Sequence, residues 1–264
     1  MDQVEVAGLR IAYERAGDGP PLILLHGGLG DSRDWRRQIP AFAEAFDVIA
    51  WDAPGCGLSS DPPEENFLLA GYADCLAALI TQLELDRPHV LGHSFGSGVA
   101  LELYGRHPGI PRSLILASAY AGWKGSLPPE EVEARLQGVL RDSDRPGKEL
   151  VVEWLPSLRS ELTSPEAVDE MVEIMLEFHP MGARTMARAF AEADLRDVLP
   201  SIEVPTLLLC GERDQRSPLH IAAKLHDRIP NSELVVIPKV GHMSNYDDDA
   251  RFNGAVLTFL RRQH

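Results

Sequence analysis

His89-Val90-Leu91-Gly92-His93-Ser94-Phe95-Gly96-Ser97-Gly98-Val99 is the stretch on which the fold of this chain turns. Its first three residues form a short apolar run of the kind that reads as a buried strand. From Phe95 to Arg106 the spacing is helical. Between them Gly92-His93-Ser94-Phe95-Gly96 matches G-x-S-x-G, the strand, sharp turn and helix context that thrusts a serine hydroxyl out at a sheet edge. The glycines belong there because side chains would collide in so tight a bend.

Working outward, similar runs recur at Leu22 to Leu25, Val48 to Trp51, Leu114 to Ala117, Thr206 to Cys210 and Leu234 to Ile237. Short, continuously apolar and bounded by turn residues, they predict strands buried on both faces of a parallel sheet. Val4 to Ile11 alternates around Gly8 and predicts a hairpin. Helical spacing fills the intervals at Trp35 to Phe46, Leu69 to Leu83, Leu219 to Ile229 and Ala250 to Arg262. Strands alternating with helices imply crossover units, a mostly parallel sheet and an α/β core.

One interval breaks the alternation. From about residue 122 to 183 no buried strand run occurs, and helical spacing covers Glu130 to Arg141, Gly147 to Arg159, Pro165 to Phe178 and, running on past it, Arg184 to Leu195. Starts are marked by Pro128-Pro129, Ser143, Ser164 and Pro180. This reads as a helical insertion over the sheet, dividing the chain into core residues 1–121, a cap at 122–183 and core residues 184–264.

A serine hydroxyl becomes a useful nucleophile only when a base takes its proton, and the base must be held by an acid. The run ending at Cys210 leads into Gly211-Glu212-Arg213-Asp214, and the run ending at Ile237 leads into Pro238-Lys239-Val240-Gly241-His242. Both leave the carboxyl ends of strands, where open α/β sheets place their sites. Ser94, His242 and Asp214 are therefore the candidate catalytic residues, with Glu212 as the alternative acid. A negative oxygen needs two N–H donors. Phe95, at a helix start, supplies one; the loop His26-Gly27-Gly28-Leu29-Gly30 supplies the other through Gly28, with Gly27 as the alternative.

Composition is consistent with an ordinary globular protein: 264 residues, 44% hydrophobic and 25% charged. Forty acidic against 25 basic residues leave a formal charge of −15, which argues against nucleic acid or anionic membrane surfaces as partners. Cys56, Cys75 and Cys210 are too few and too scattered for a disulfide framework or a zinc site. The amino terminus lacks the basic and apolar regions of a signal peptide, and no apolar run approaches the ~18 residues of a membrane span. The expectation is a cytoplasmic enzyme acting on a small molecule without metal or cofactor; its oligomeric state is not legible.

Together these residues resemble the α/β-hydrolase superfamily over nearly the whole chain. His26-Gly27-Gly28 resembles its H-G-G oxyanion loop, and Asp52-Ala53-Pro54-Gly55-Cys56-Gly57-Leu58-Ser59 its D-x-P-G-x-G-x-S loop. Pro205 to Asp214 resembles the strand that delivers the acid, and Gly241-His242 the terminal G-H. The chain order Ser94, Asp214, His242 is also that of the superfamily. The resemblance implies an eight-stranded, mostly parallel sheet flanked by helices, a helical cap that shapes substrate choice, and a serine esterase or lactonase. Haloalkane dehalogenases and epoxide hydrolases carry Asp where this chain has Ser94. Carbon–carbon bond hydrolases commonly have Trp where it has Met243. Phe95 and Ser97 depart from the G-x-S-W-G-G of proline iminopeptidases, whereas His242-Met243-Ser244-Asn245 is similar to the ending of 3-oxoadipate enol-lactonases.

For the substrate pocket the candidates are His26, Gly27, Trp123, Trp154 and Met243, with Met171, Met175, Phe178, Met186 and Phe190 as further apolar residues of the insertion. Arg184 and Arg188 lie one helical turn apart and read either as a carboxylate grip or as partners of acids such as Glu192. Carbon–carbon bond cleavage, perhydrolysis and a slow-turnover receptor on the same scaffold are the competing readings.

Overall fold

A computed structural model describes residues 1–62 and 67–263. Eight strands form one sheet in the order β1-β2-β4-β3-β5-β6-β7-β8: β1 Asp2–Val6, β2 Leu9–Ala16, β3 Pro21–Leu25, β4 Asp47–Trp51, β5 His89–His93, β6 Ser113–Ala117, β7 Thr206–Gly211 and β8 Ser232–Ile237. β1 and β2 form the hairpin, β2 also runs antiparallel to β4, and every other pairing is parallel. Each residue of β4 to β7 is buried, as continuous apolar runs require, whereas β8 at the sheet's edge is half covered.

Side chains alternate across the sheet. Ile23, Leu25, Val90 and Leu116 join one core, with α2 (Leu69–Gln82) and α3 (Phe95–Arg106) packed on that face. Leu22, Leu24, Leu91 and Ile115 join the other, whose chief helix is a carboxyl-terminal one (Asp249–Leu260). From β3 the chain passes first to β4 on one side and then crosses to β5 on the other. The switch between β3 and β5 opens a crevice at the carboxyl ends of these strands, where such sheets bind ligands.

The helix expected over Trp35 to Phe46 is instead a 3-10 turn, Ser32–Trp35, followed by a single turn, α1 (Ile39–Phe42). Pro40 explains the break: it lacks an N–H, and its ring would clash with the carbonyl of Arg36 in a continuous helix. Between β6 and β7 lie α4 (Trp123–Ser126), α5 (Pro129–Asp142), α6 (Gly147–Leu158), α7 (Pro165–Leu176) and α8 (Pro180–Glu192). Ser164 caps α7 by accepting from the Ala167 N–H. Ser143, expected to start a helix, closes α5 instead, and α6 begins after Pro146. Pro180 sits in the first turn of α8, which runs unbroken across residue 183. α5 packs on α8 and α6 on α7. α8 meets the core where a Cβ on Gly55 would lie 2.7 Å from the Gly182 Cα, so both positions need glycine for this approach.

Candidate active site

Ser94 joins β5 to α3 at φ +50° and ψ −111°, a conformation that costs a non-glycine residue about 1–3 kcal/mol. Its N–H donates to the Ala117 carbonyl on β6 at 2.9 Å, and its carbonyl accepts the Ser97 N–H at 3.0 Å. The flanking glycines have a steric cause. A Cβ on Gly92 would stand 2.6 Å from the Ser97 nitrogen, and one on Gly96 would stand 2.7 Å from the His26 carbonyl oxygen. Leu29, Ser118 and Lys239, beyond the ends of β3, β6 and β8, also hold positive φ. Four of the seven described non-glycine residues with positive φ thus lie at the sheet edge that carries the candidate residues; Ala7, Glu84 and Arg87 lie elsewhere.

Asp214 and His242 meet there. His242 Nδ1 stands 3.0 Å from each Asp214 carboxylate oxygen, and both residues are buried. Asp214 Oδ1 also accepts the N–H groups of Arg216 at 2.9 Å and Ser217 at 2.8 Å. Burial would raise this carboxyl; the His242 imidazole and these donors outweigh it and hold it below the usual carboxylate range. The His242 carbonyl accepts from Ser118 Oγ and from His93 Nε2, each at 3.0 Å. His93, the residue before Ser94, packs its ring 4.9 Å from the His242 ring. Burial and that neighbour push its pKa down to about 3, so it stays neutral and donates. Glu212, the alternative acid, is exposed and accepts the Lys239 N–H at 2.8 Å.

Ser94 and His242 line one cavity, of about 900 Å³ counting its open mouth. With Nδ1 committed to Asp214, Nε2 is the ring nitrogen left for a proton from Ser94. The Ser94 hydroxyl makes no hydrogen bond to another described residue, a looseness common before substrate tightens a site. Gly28 and Phe95 line the same cavity. Phe95 is the first residue of α3, where the helix itself offers no acceptor for its N–H.

Of the pocket candidates, Gly27, Trp123, Trp154 and Met243 line the cavity, as do Met171, Met175, Met186 and Phe190. His26 does not. Its ring is 1% exposed and spans two loops, with Nδ1 2.7 Å from the Gly27 carbonyl and Nε2 accepting the Ala53 N–H at 3.0 Å. It is a neutral strut beneath the Gly27-Gly28-Leu29-Gly30 loop, its pKa lowered by burial. Phe178 lies beside Cys56 in a neighbouring crevice. Arg184 pairs with Asp144 at 2.7 Å rather than with Glu192, and neither it nor Arg188 lines the cavity. The three thiols are free and buried; burial pushes those of Cys75 and Cys210 up to about 12, far from a reactive thiolate.

Three charged cavity residues escaped the sequence reading: Asp34, Arg135 and Arg216. Asp34 stands one residue before the helix expected over Trp35 to Phe46; its carboxyl packs on Gly30, 7% exposed, with no side-chain hydrogen bond among the described residues. Burial, reinforced by Asp31, raises its pKa well above the ordinary value. A group whose pKa rises on folding favours the folded state below its unfolded pKa, an advantage lost as pH rises through the folded value. Asp34→Asn should therefore match the parent in acid and gain on it with rising pH, by roughly 3 °C or more in Tm at neutrality. Melting curves across pH check this; a difference that does not vary with pH would contradict it.

The strand order and the serine turn at the β3/β5 crevice define an enzyme of the α/β-hydrolase class. Residues 20–249 match the family described as alpha/beta hydrolase fold, and the chain belongs to that family. It is 30% identical over 272 residues to a 2-hydroxymuconate semialdehyde hydrolase from a Pseudomonas species, covering 98% of this chain and 93% of that protein. A thermophilic esterase from Thermogutta terrifontis superposes with a TM-score of 0.93 at 29% identity, over 100% of both chains. An enol-lactonase from Burkholderia xenovorans shares the fold with a TM-score of 0.90 at 22% identity, over 98% of this chain and 100% of that one. Among the described residues no helix is long and apolar enough to cross a membrane.

Proposed function

We propose that this enzyme is a serine hydrolase that cleaves a small carboxylic ester or lactone through an acyl-enzyme, with Ser94, His242 and Asp214 as its triad. The observation that carries the reading is the buried Asp214–His242 pair at 3.0 Å, on the cavity that the strained Ser94 turn also lines. As Ser94 Oγ attacks the carbonyl carbon, its proton passes to His242 Nε2. Asp214, bonded at Nδ1, keeps that nitrogen protonated and stabilises the imidazolium. The Phe95 and Gly28 N–H groups take the negative oxygen. Collapse expels the alcohol, which receives the proton from His242; water, deprotonated by His242, then attacks the acyl-enzyme and frees Ser94.

Residues 122–183, together with the remainder of α8, are assigned as the cap, since Trp123, Trp154 and Met186 roof the cavity. The scheme calls on these residues and water, and the enzyme is proposed to act on a small molecule in the cytoplasm. The likeness to the 2-hydroxymuconate semialdehyde hydrolase supports one second reading, carbon–carbon bond hydrolysis by the same three residues. A fluorophosphonate should form one covalent adduct with the protein, and product analysis over esters, lactones and vinylogous 1,5-diketones should show turnover of the first two. Selective cleavage of the diketones would transfer the assignment to the second reading, and absence of any adduct or turnover would remove both.

A further inference from the structure

Arg216 stands on the cavity wall two residues beyond Asp214. Its guanidinium lies 4.6 Å from the Trp154 ring centroid and donates from Nη1 to Ser157 Oγ at 3.0 Å. Nε and Nη2 make no hydrogen bond, and no described carboxylate stands within ion-pair distance. By contrast, in a chain with 15 more acids than bases, Arg15, Arg37 and Arg106 each hold a carboxylate through both Nε and Nη2.

The other groups facing the cavity do not neutralise it. Arg135 of α5 already has a carboxylate: both Nε and Nη2 reach Glu131, while Nη1 donates to Tyr120 Oη at 2.8 Å and Nη2 also to the Arg216 carbonyl at 2.9 Å. The Tyr120 hydroxyl donates to the same Arg216 carbonyl, so the backbone of residue 216 is clamped from two sides. Asp214 is bonded to His242, and Asp34 is held toward its neutral form. Elsewhere the wall is mostly Met, Trp, Phe and Leu. Burial already works against the charge of Arg216, lowering its pKa from the ordinary value.

A guanidinium whose Nε and Nη2 are free presents two parallel N–H groups, the side-on fork that matches the two oxygens of one carboxylate. With a single uncommitted cation, a monoanion fits the site. Resting on the ester or lactone reading above, we propose that Arg216 is the receptor for an ionised carboxylate carried by the substrate, on its acyl or its alcohol part, away from the bond that is cleaved. Trp154 supplies the flat face that holds the guanidinium in register.

The test has two arms. In the first, monoethyl esters of linear dicarboxylic acids with two to six methylenes are each compared with the ethyl ester of the fatty acid of equal length. Acetate esters of ω-hydroxy acids, beside those of simple alcohols, place the charge on the alcohol part. At the best length kcat/KM should favour the charged ester at least 10-fold, and Arg216→Gln should erase that ratio while Arg216→Lys keeps part of it, as expected for a desolvated charge-assisted pair. In the second arm, calorimetry on Ser94→Ala protein, with and without Arg216→Gln, reads binding of the same pairs without requiring turnover. At least 10-fold weaker binding of the charged ligand alone supports the receptor even if every ester in the panel proves inert. Equal binding of charged and neutral ligands, or equal loss of both in Arg216→Gln, overturns it.

Discussion

Ser94→Ala is expected to lower ester turnover by about 10⁴-fold to 10⁶-fold and to abolish the fluorophosphonate adduct. The substitution removes the atom that the proposed mechanism uses to form the acyl bond and little else. The Ser94 N–H still reaches Ala117, its carbonyl still accepts the Ser97 N–H, and alanine inherits the same φ of +50°. Melting temperature should therefore stay within a few degrees of the parent, while the mass shift on labelling disappears. Residual turnover over water should persist, because the Gly28 and Phe95 N–H groups and the apolar cavity remain in place. Labelling that survives in the variant, traced by peptide mapping to another serine, would move the nucleophile elsewhere and dismantle the proposed mechanism.

What was legible in the sequence follows burial and local pattern. Strands covered on both faces announce themselves as continuous apolar runs, which is why β3 to β7 could be read without an alignment. Ser94, Asp214 and His242 were legible as residues just beyond such runs. The serine turn was the clearest, because its G-x-S-x-G pattern is contiguous and Gly92 answers to a contact within a few residues of chain, although Gly96 answers to the distant His26 carbonyl. Trp35 to Phe46 misled because helical spacing was counted through Pro40, whose missing N–H outweighs periodicity. His26 misled because a histidine beside the oxyanion loop looks chemical, whereas it faces inward as a link to Ala53.

Arg135 and Arg216 were invisible for a different reason. Their meaning lies in contacts across long separations: Arg135 reaches the Arg216 carbonyl over 81 residues, and Arg216 reaches Ser157 over 59. An arginine without a carboxylate leaves no pattern in composition or period. His93 is intermediate. Its place in the turn was plain, but its hydrogen bond to the His242 carbonyl, 149 residues away, emerges only when β5 and the loop after β8 come together.

Asp214→Asn is expected to lower kcat about 10⁴-fold with little change in fold, by reversing the proton on the imidazole. Asp214 Oδ1 accepts two backbone N–H groups, those of Arg216 and Ser217, at 2.9 and 2.8 Å. An asparagine must keep its carbonyl oxygen in that position, since turning its NH2 there would set donor against donor twice. Its NH2 then replaces Oδ2, which stands 3.0 Å from His242 Nδ1. Nδ1 then faces both that NH2 and the retained carbonyl oxygen, each at 3.0 Å, and wherever it accepts from the NH2 its proton moves to Nε2, the nitrogen that the proposed mechanism needs free to receive the proton of Ser94. The backbone of residue 242 is still held, its carbonyl accepting from Ser118 Oγ and His93 Nε2, but the imidazole carries the wrong tautomer. Because the defect lies in proton placement, part of the activity should return at high pH as hydroxide takes over the base's role, whereas Ser94→Ala should show no such recovery. Burst kinetics with an activated ester across pH would separate the two. A loss in Asp214→Asn below 10-fold, or a pH profile parallel to the parent's, would mean that Asp214 anchors the loop after β7 without governing His242.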